Sequence, residues 1–563
     1  MNRNRSTSRA ASATRVAWGV LLLAAMWVGV KVSWQIRHTW SVFGADHMAD
    51  HIFDDVKAHP YTLRTEPTDL LAGLAAGVIV ALIWIWRWSE ALDRRTGAEY
   101  GSARWSKRRE LAPLANKDPV QNLHLTRHVA ISADPIHQRP EFQRNLNALV
   151  VGGTGSGKSR RFILPNIALS VSSMIVTDPK AELFTATHDW LTSHGWTVRQ
   201  LNLLDMDQSD GFNALAYLRP GHEPEDIEQL AKTIVTNTAD AKPTGQLDPF
   251  WDRAENALLT SVMALAVCMS GDQASLPQVA DLIADISTSG HTEGQTTAQF
   301  ESLAAAVRSG DVHPDRLDIA TYATRQWSVF RSAHVKTADS IVLCAGVRLS
   351  LLSIPAVSHL MRTDQLHLDQ VGHERTVIFV MLPDSTSAFS FITALFFQTF
   401  FTVAFRDADT SGTGRLPIHV KLLLDEFANI GVIPEFASRM ATMRGRNMSA
   451  QLVVQNLGQI KARYGDDAET IIGNCDTLLC LGTNDKTTAK EVSERIGRQT
   501  IISVDSSEQR GSRGGASKSR RTLGRDLITA DELLRMPRTE ALVLVSGFHP
   551  LMDEKLTTPD FTC

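Results

Sequence analysis

Asn147-Ala148-Leu149-Val150-Val151-Gly152-Gly153-Thr154-Gly155-Ser156-Gly157-Lys158-Ser159 reads as a short apolar strand running into G-x-x-x-x-G-K-S, with a helical pattern opening near Arg160. A loop of this kind turns its backbone N–H groups inward around phosphate oxygens, and glycines are needed because side chains would fill that space. The N-terminus of the following helix adds partial positive charge. Gly152, Gly153, Thr154, Gly155, Ser156, Gly157, Lys158, Ser159 and Arg160 are therefore the expected nucleotide-binding residues. Lys158 is placed to neutralise the β- and γ-phosphates, and the Ser159 hydroxyl to ligate Mg²⁺, so ATP and Mg²⁺ are the expected cofactors.

Such a loop needs a second strand that delivers carboxylates. Val420-Lys421-Leu422-Leu423-Leu424 leads into Asp425-Glu426. Asp425 is expected to hold Mg²⁺ through water, and Glu426 to polarise the attacking water as general base, which favours hydrolysis over simple binding. Further apolar runs, 173–177, 197–203, 376–382, 450–454 and 477–481, each end in polar residues and alternate with helical stretches. That grammar implies an α/β fold with a mainly parallel sheet covered by helices on both faces. Ligands in such sheets lie beyond the strand C-termini. Gln455, after 450–454, is thus placed to sense a γ-phosphate or position water; a sheet-end glutamine bonding a loop is the plainer alternative. Between the two motifs, 223–239, 252–269 and 276–286 show apolar spacing of three to four residues, so 214–338 reads as an inserted all-α domain between core segments 101–213 and 339–563.

The chain has 563 residues, 43% hydrophobic and 21% charged, with a formal net charge of −4, which excludes a disordered chain or a bulk polycation. The 12 Trp against 5 Tyr are segregated: eight Trp precede position 106. The uncharged run 16–30, extended to Trp34, would span about 28 Å as a helix, near the thickness of a bilayer core. Leu70 to Trp86 forms a second apolar run. Residues 1–100 are expected to be a membrane anchor, with spans at about 16–34 and 70–88 and an outer loop at 35–69. Arg3, Arg5, Arg9 and Arg15 precede the first span, Arg87, Arg94 and Arg95 follow the second, and the intervening loop is acidic, so both termini are expected on the cytoplasmic side. The apolar stretch 389–405 carries Ser390, Thr393, Gln398 and Thr399 and reads as a core helix. Five Cys without a CxxC pair fit a reduced cytoplasmic body.

The ordered motifs resemble the TraG/TraD-type coupling proteins of type IV secretion and conjugation. Gly101-Ser102-Ala103-Arg104-Trp105 is similar to the family's juxtamembrane signature, and Pro165-Asn166 to the residues after its P-loop. Thr177-Asp178-Pro179-Lys180-Ala181-Glu182 resembles its D-P-K-G-E segment with Ala181 in place of Gly. Asn202-Leu203, Phe212-Asn213-Ala214-Leu215 and Asp248-Pro249-Phe250-Trp251 resemble its next blocks. Leu424-Asp425-Glu426-Phe427 with Gly431 and Pro434 resembles its Walker B block, followed by Gln455-Asn456, Gln459 and Tyr464-Gly465. The resemblance implies a RecA-like P-loop ATPase, usually a hexameric ring at the inner membrane. Such a pump passes relaxase-bound single-stranded DNA, or effector proteins, to the other subunits of a secretion channel. It also implies a cationic finger from a neighbouring subunit: Arg446 matches best, and Arg444 is the runner-up.

Arg510, Arg513, Lys518, Arg520, Arg521 and Arg525, interspersed with Gly and Ser, read as a flexible basic loop able to follow a phosphate backbone. Phe548-His549-Pro550 is expected to end the core. An effector pump without DNA cargo, and a docking platform with weak ATPase, remain the alternative readings. A chromosome translocase of the FtsK type is disfavoured, because no DNA-reading C-terminal domain is evident.

Overall fold

The computed structural model describes residues 3–44, 48–62, 66–93, 98–134, 139–238, 249–289, 294–383, 388–508, 516–559 and 561. The chain forms two compact units: Met1–Ser102 with Gln499–Arg525, and Ala103–Arg498 with Asp526–Cys563. The thirteen strands are β1 Asn122–His124, β2 Ala130–Ser132, β3 Ala148–Val151, β4 Ser173–Thr177, β5 Thr197–Asn202, β6 Thr376–Met381, β7 Val420–Leu424, β8 Met448–Val454, β9 Thr477–Cys480, β10 Arg498–Glu508, β11 Ala516–Asp526, β12 Glu540–Val545 and β13 Leu551–Glu554.

The larger unit is built on a nine-stranded sheet in the order β13-β12-β9-β3-β8-β7-β4-β6-β5. The strands from β9 to β5 run parallel, and apart from the half-buried edge strand β5 they are buried on both faces. Alternation decides which core each side chain joins. Leu149 and Val151 of β3 face one apolar cluster together with the helical block, whereas Ala148 and Val150 face the other, with Phe162, Ile167 and Leu183. β12 pairs antiparallel with β9 and with β13. The core therefore does not end at Phe548-His549-Pro550. That turn reverses the chain into β13, an edge strand whose Leu551 and Asp553 are buried.

The helical block comprises Glu223–Thr238, Pro249–Ser270, Leu276–Ser289, Gln295–Ser309, Leu317–Arg331 and Val335–Leu349. Its expected end at 338 falls inside Val335–Leu349, because Ala338, Ile341, Val342, Ala345 and Leu349 continue one buried stripe. Helix Pro355–Leu360 prolongs the block before β6. Arg348 Nε donates to Glu255 Oε1 at 2.6 Å inside it, and Phe300 stacks on Trp327 with ring centroids 4.1 Å apart. Pro249–Ser270 is long and apolar enough to cross a membrane, but 61% of its most apolar window is buried within the unit, so it is a core helix. Ser390–Thr410 is another, with Phe391, Phe396, Phe397, Phe400 and Phe401 fully buried, as its polar interruptions suggest.

In the smaller unit, helices Arg3–Phe43 and Pro67–Asp93 contain spans Ala17–Phe43 and Pro67–Arg87 that are long and apolar enough to cross a membrane. They pack through small residues. A Cβ on Gly29 would lie 2.9 Å from the Ala72 carbonyl oxygen and from Gly73 Cα, an approach open only to glycine. Arg37 Nη1 donates to Glu66 Oε2 at 2.7 Å and the same guanidinium pairs with Asp69, closing one end of the pair. Leu23, Leu71, Leu74, Leu82 and Trp86 remain exposed around the outside. Residues 35–69 are not a loop as expected. The first helix continues to Phe43, and Met48–Ala58 forms a helix of its own, seated on the first through Asp55.

β10 and β11 pair with each other in this unit. The basic segment is thus in part a strand rather than a flexible loop. Thr500, Ile501, Ile502 and Val504 supply the β-branched partner for Ala516–Asp526, which outweighs the Gly/Ser composition. Arg521 and Arg525 lie exposed on β11, and Arg510 and Arg513 fall outside the described residues. Thr500 Oγ1 accepts from Tyr100 N at 3.1 Å and donates to the Gly101 carbonyl at 3.0 Å, tying this ribbon to the segment at 100–101.

Candidate functional site

The C-terminal ends of β3, β4, β7 and β8 open onto one cleft of about 490 Å³. Gly153, Thr154, Gly155, Gly157, Lys158, Ser159 and Arg160 line it from β3, Asp425 and Glu426 from β7, and Gln455 from β8. The loop after β3 is pinned by Gly152 N donating to Val454 O at 3.0 Å and Gly153 N to Gly482 O at 2.9 Å. Gly155 and Gly157 have φ of +76° and +92°, where a side chain is strained, and a Cβ on Gly157 would meet Arg161 Cγ at 2.7 Å. Gly152 and Ser156 back the loop rather than line the cleft; a Cβ at Gly152 would collide with the Ser156 hydroxyl. Beyond the loop, Ser159–Ile163 forms a π-helical turn that passes into helix Leu164–Ala168.

Lys158, almost fully buried, donates to Gly152 O at 3.1 Å and lies 3.4 Å from Glu426 Oε1. Ser159 Oγ donates to Asp425 Oδ2 at 2.8 Å. The strand β4 adds Thr177, whose hydroxyl donates to the Asp425 carbonyl at 2.7 Å. Glu426 takes a left-handed conformation, φ +49°, which is costly without a glycine, by roughly 1 kcal/mol or more. This sharp turn brings its carboxylate to Lys158 and to Gln455, whose Nε2 donates to Oε1 at 3.1 Å and to Oε2 at 3.2 Å. Gln455 is itself held by Gln459, which accepts from its backbone N–H at 3.0 Å.

Burial is the main cause that pushes the Asp425 carboxyl up to about 6; Ser159 pulls it back, and Glu426 raises it further. A carboxyl raised above its unfolded value binds a proton more readily when folded. It therefore contributes stability below the ordinary value of 3.8 that is lost as pH rises through about 6. The isosteric neutral variant Asp425→Asn should consequently melt higher than the native chain near pH 7 without nucleotide, with the gap narrowing as pH falls below about 6 and closing only below about pH 4 in calorimetry. A protonated Asp425 would be a poorer ligand for a cation.

Three further groups complete the cleft. Asp178, Lys180 and Glu182 line it from the end of β4. Burial raises the Asp178 carboxyl, which accepts from Phe184 N at 2.9 Å. Ala181, where the resemblance has Gly, adopts φ +55°. Lys555, just past β13, is buried and donates to Ser156 O at 3.0 Å and Leu481 O at 2.7 Å, clamping the phosphate loop to β9. The sequence signal for Asp178 was its place at a strand end; Lys555 carried none, since it depends on the antiparallel edge. Lys555→Met leaves two buried carbonyls unpaired, at about 1–3 kcal/mol. A nucleotide affinity lower by about tenfold is expected, measurable by titration with a fluorescent ATP analogue.

Arg446, just before the first residue of β8, does not line this cleft. It pairs with Asp409 through two 2.9 Å hydrogen bonds and sits 4.4 Å from the Phe405 ring centroid. Arg444 is exposed, with a contact of 3.4 Å to Gln143 Oε1. The four described cysteines, Cys268, Cys344, Cys475 and Cys480, are free thiols.

The residues present fit a Mg²⁺-nucleotide. The loop carries a buried Ser156 hydroxyl without a hydrogen-bond partner, a cradle that Cβ atoms would fill, and a hydroxyl–carboxylate pair at Ser159 and Asp425. A parallel sheet bearing this loop and the facing Asp-Glu turn defines the class: a P-loop nucleotide-binding protein with a RecA-like core. Residues 115–557 match the Type IV secretory system Conjugative DNA transfer family, and the chain belongs to that family. It is similar to Conjugal transfer protein TraG of Escherichia coli, 25% identical over 489 residues that cover 78% of this chain and 71% of that protein. In fold it is similar to the plasmid coupling protein TrwB in complex with the ATP analogue ADPNP, with a TM-score of 0.55, 16% identity, and 82% of this chain and 96% of that one covered. TrwB in complex with ADP and Mg²⁺ gives a TM-score of 0.53 at 15% identity, over 83% of this chain and 98% of that one.

Proposed function

We propose that this chain is a membrane-anchored coupling protein that binds ATP and Mg²⁺ and hydrolyses the nucleotide to move DNA, with its bound relaxase, into a type IV secretion channel. The observation that carries this reading is the convergence of Lys158, Ser159, Asp425, Glu426 and Gln455 in one cleft of a family member. Ser159 and Asp425 would hold Mg²⁺, which when bound screens phosphate charge. Lys158 would bind the β- and γ-phosphates. Glu426, held by Lys158 and Gln455, would accept a proton from water, and the buried floor of the cleft keeps that carboxylate oriented.

In a ring of such subunits, proposed here as a hexamer, the finger comes from the neighbour. Arg446 would have to leave Asp409 to serve, whereas Arg444 is exposed, so the two arginines are separable by single substitution. The exposed apolar surface of the two long helices supports an anchor crossing the bilayer twice, with both termini in the cytoplasm by the charge asymmetry. Exposed Arg521 and Arg525 on β11 suit contact with a phosphate backbone.

Crosslinking in cells during transfer tests cargo. Recovery of plasmid DNA and relaxase on the native chain supports the reading. Recovery of effector proteins with no DNA would replace it with the effector pump.

A further inference from the structure

Outside the nucleotide cleft, the described residues hold one cluster of metal-binding donors, and it lies in the short helical turn between the two long helices. His38 is near the end of the first helix, Asp55 is on helix Met48–Ala58, and His59 follows that helix immediately. Their donor atoms all lie within 4.8 Å of one another. We propose that His38, Asp55 and His59 form a divalent transition-metal site, best suited to Zn²⁺, that fastens the short helix to the first membrane helix.

Donor chemistry comes first. Two imidazoles and one carboxylate are the set that binds Zn²⁺ with a fourth position left for water. Spacing is next. Bonds of about 2.0–2.1 Å in a tetrahedral site place neighbouring donors about 3.3 Å apart. Here His38 Nδ1 is 3.0 Å from Asp55 Oδ2, and His59 Nδ1 is 3.3 Å from Asp55 Oδ1. A hydrogen-bonded triad would show similar distances, but it would satisfy its donors. His59 Nδ1 is instead buried without a hydrogen-bond partner of good geometry.

The surroundings are those of a held ligand. Asp55 is 8% exposed, and its Oδ2 accepts from the Thr39 hydroxyl at 2.7 Å and from the Gln35 amide. Such outer contacts fix the orientation of a ligating carboxylate. Trp34 stacks on His38 with ring centroids 5.0 Å apart and meets His59 edge-on at 6.0 Å, so both imidazoles are oriented by packing. Lys31 is a nearby positive charge, held on the Trp34 face and the His59 carbonyl, and it opposes a dication enough to favour modest rather than extreme affinity.

The site has a structural purpose. An eleven-residue helix is marginal alone, and this turn is too small to build a core. It also contains no cysteine for a disulfide. A metal that gathers His38, Asp55 and His59 supplies the missing constraint. On the topology proposed above, this staple faces the outer compartment; the binding itself does not depend on that orientation or on the ATPase reading.

The test is calorimetric titration of the full-length chain in detergent micelles, stripped with chelator, with ZnCl₂ alone, repeated with Co²⁺ to read the visible absorption of the bound ion. One equivalent per chain with micromolar or tighter affinity is expected. His38→Ala, Asp55→Asn and His59→Ala should each weaken it by at least about tenfold and alter the Co²⁺ spectrum. Nucleotide binding at the cleft of the larger unit, unchanged in the same variants, shows that the chain is not globally unfolded. A native chain that takes up no Zn²⁺ at ~100 µM, or variants that bind it as the native chain does, would overturn the assignment.

Discussion

Lys158→Ala is expected to fold and to hydrolyse ATP at least about 10³-fold more slowly than the native chain, with nucleotide affinity reduced as well. The ammonium group is the one cation the phosphate loop directs into the cleft floor, between the Gly152 carbonyl and Glu426. Removing it takes away the charge facing the β- and γ-phosphates. It also leaves Glu426 and Asp425, consecutive carboxylates at the end of β7, without their nearest positive neighbour. The second consequence is visible without nucleotide: the like-charge pair is less tolerable, so the Asp425 carboxyl should rise further above its present value near 6. Steady-state phosphate release measures the first effect. A pH series of Mg²⁺ binding measures the second.

Glu426→Gln separates turnover from binding. The amide keeps an oxygen able to accept from Gln455 Nε2, so the local frame survives, but it cannot take a proton from water. A kcat lower by about 10²–10⁴-fold is expected, with KM within about threefold of the native value. Equal losses in both constants would mean that Glu426 serves to place the nucleotide through Lys158 rather than to activate water.

Most of the α/β core was legible because its signals are local. β3 through β9 are largely apolar runs, all but β5 buried on both faces, and each ends where the chain must turn out of the sheet. That Asp425, Glu426 and Gln455 share the phosphate loop's end of the sheet followed from the rule that ligands lie beyond strand C-termini, whereas the Ser159–Asp425 and Glu426–Gln455 hydrogen bonds are seen only in the fold. What was not legible depends on partners distant in sequence. β13 is four residues long and becomes a strand only because β12 offers an edge, so Lys555 and its clamp on Ser156 were invisible. Residues 510–525 looked like a flexible loop by Gly and Ser content, although β10 supplies a β-branched partner for part of them. The short helix Met48–Ala58 was hidden in a charged stretch, since its defining residue, Asp55, is polar and buried against Thr39 and His38. Ala181 shows the opposite case. The departure from the expected glycine was visible in sequence, and its left-handed φ shows the strain that the residue tolerates there.

ATP hydrolysis by the purified full-length chain with Mg²⁺, measured with and without single-stranded DNA, tests the central claim most directly. Mg²⁺-dependent phosphate release that rises with single-stranded DNA and disappears in Lys158→Ala is the expected result. Nucleotide bound without turnover in the presence of DNA, or turnover that survives Lys158→Ala, would contradict it.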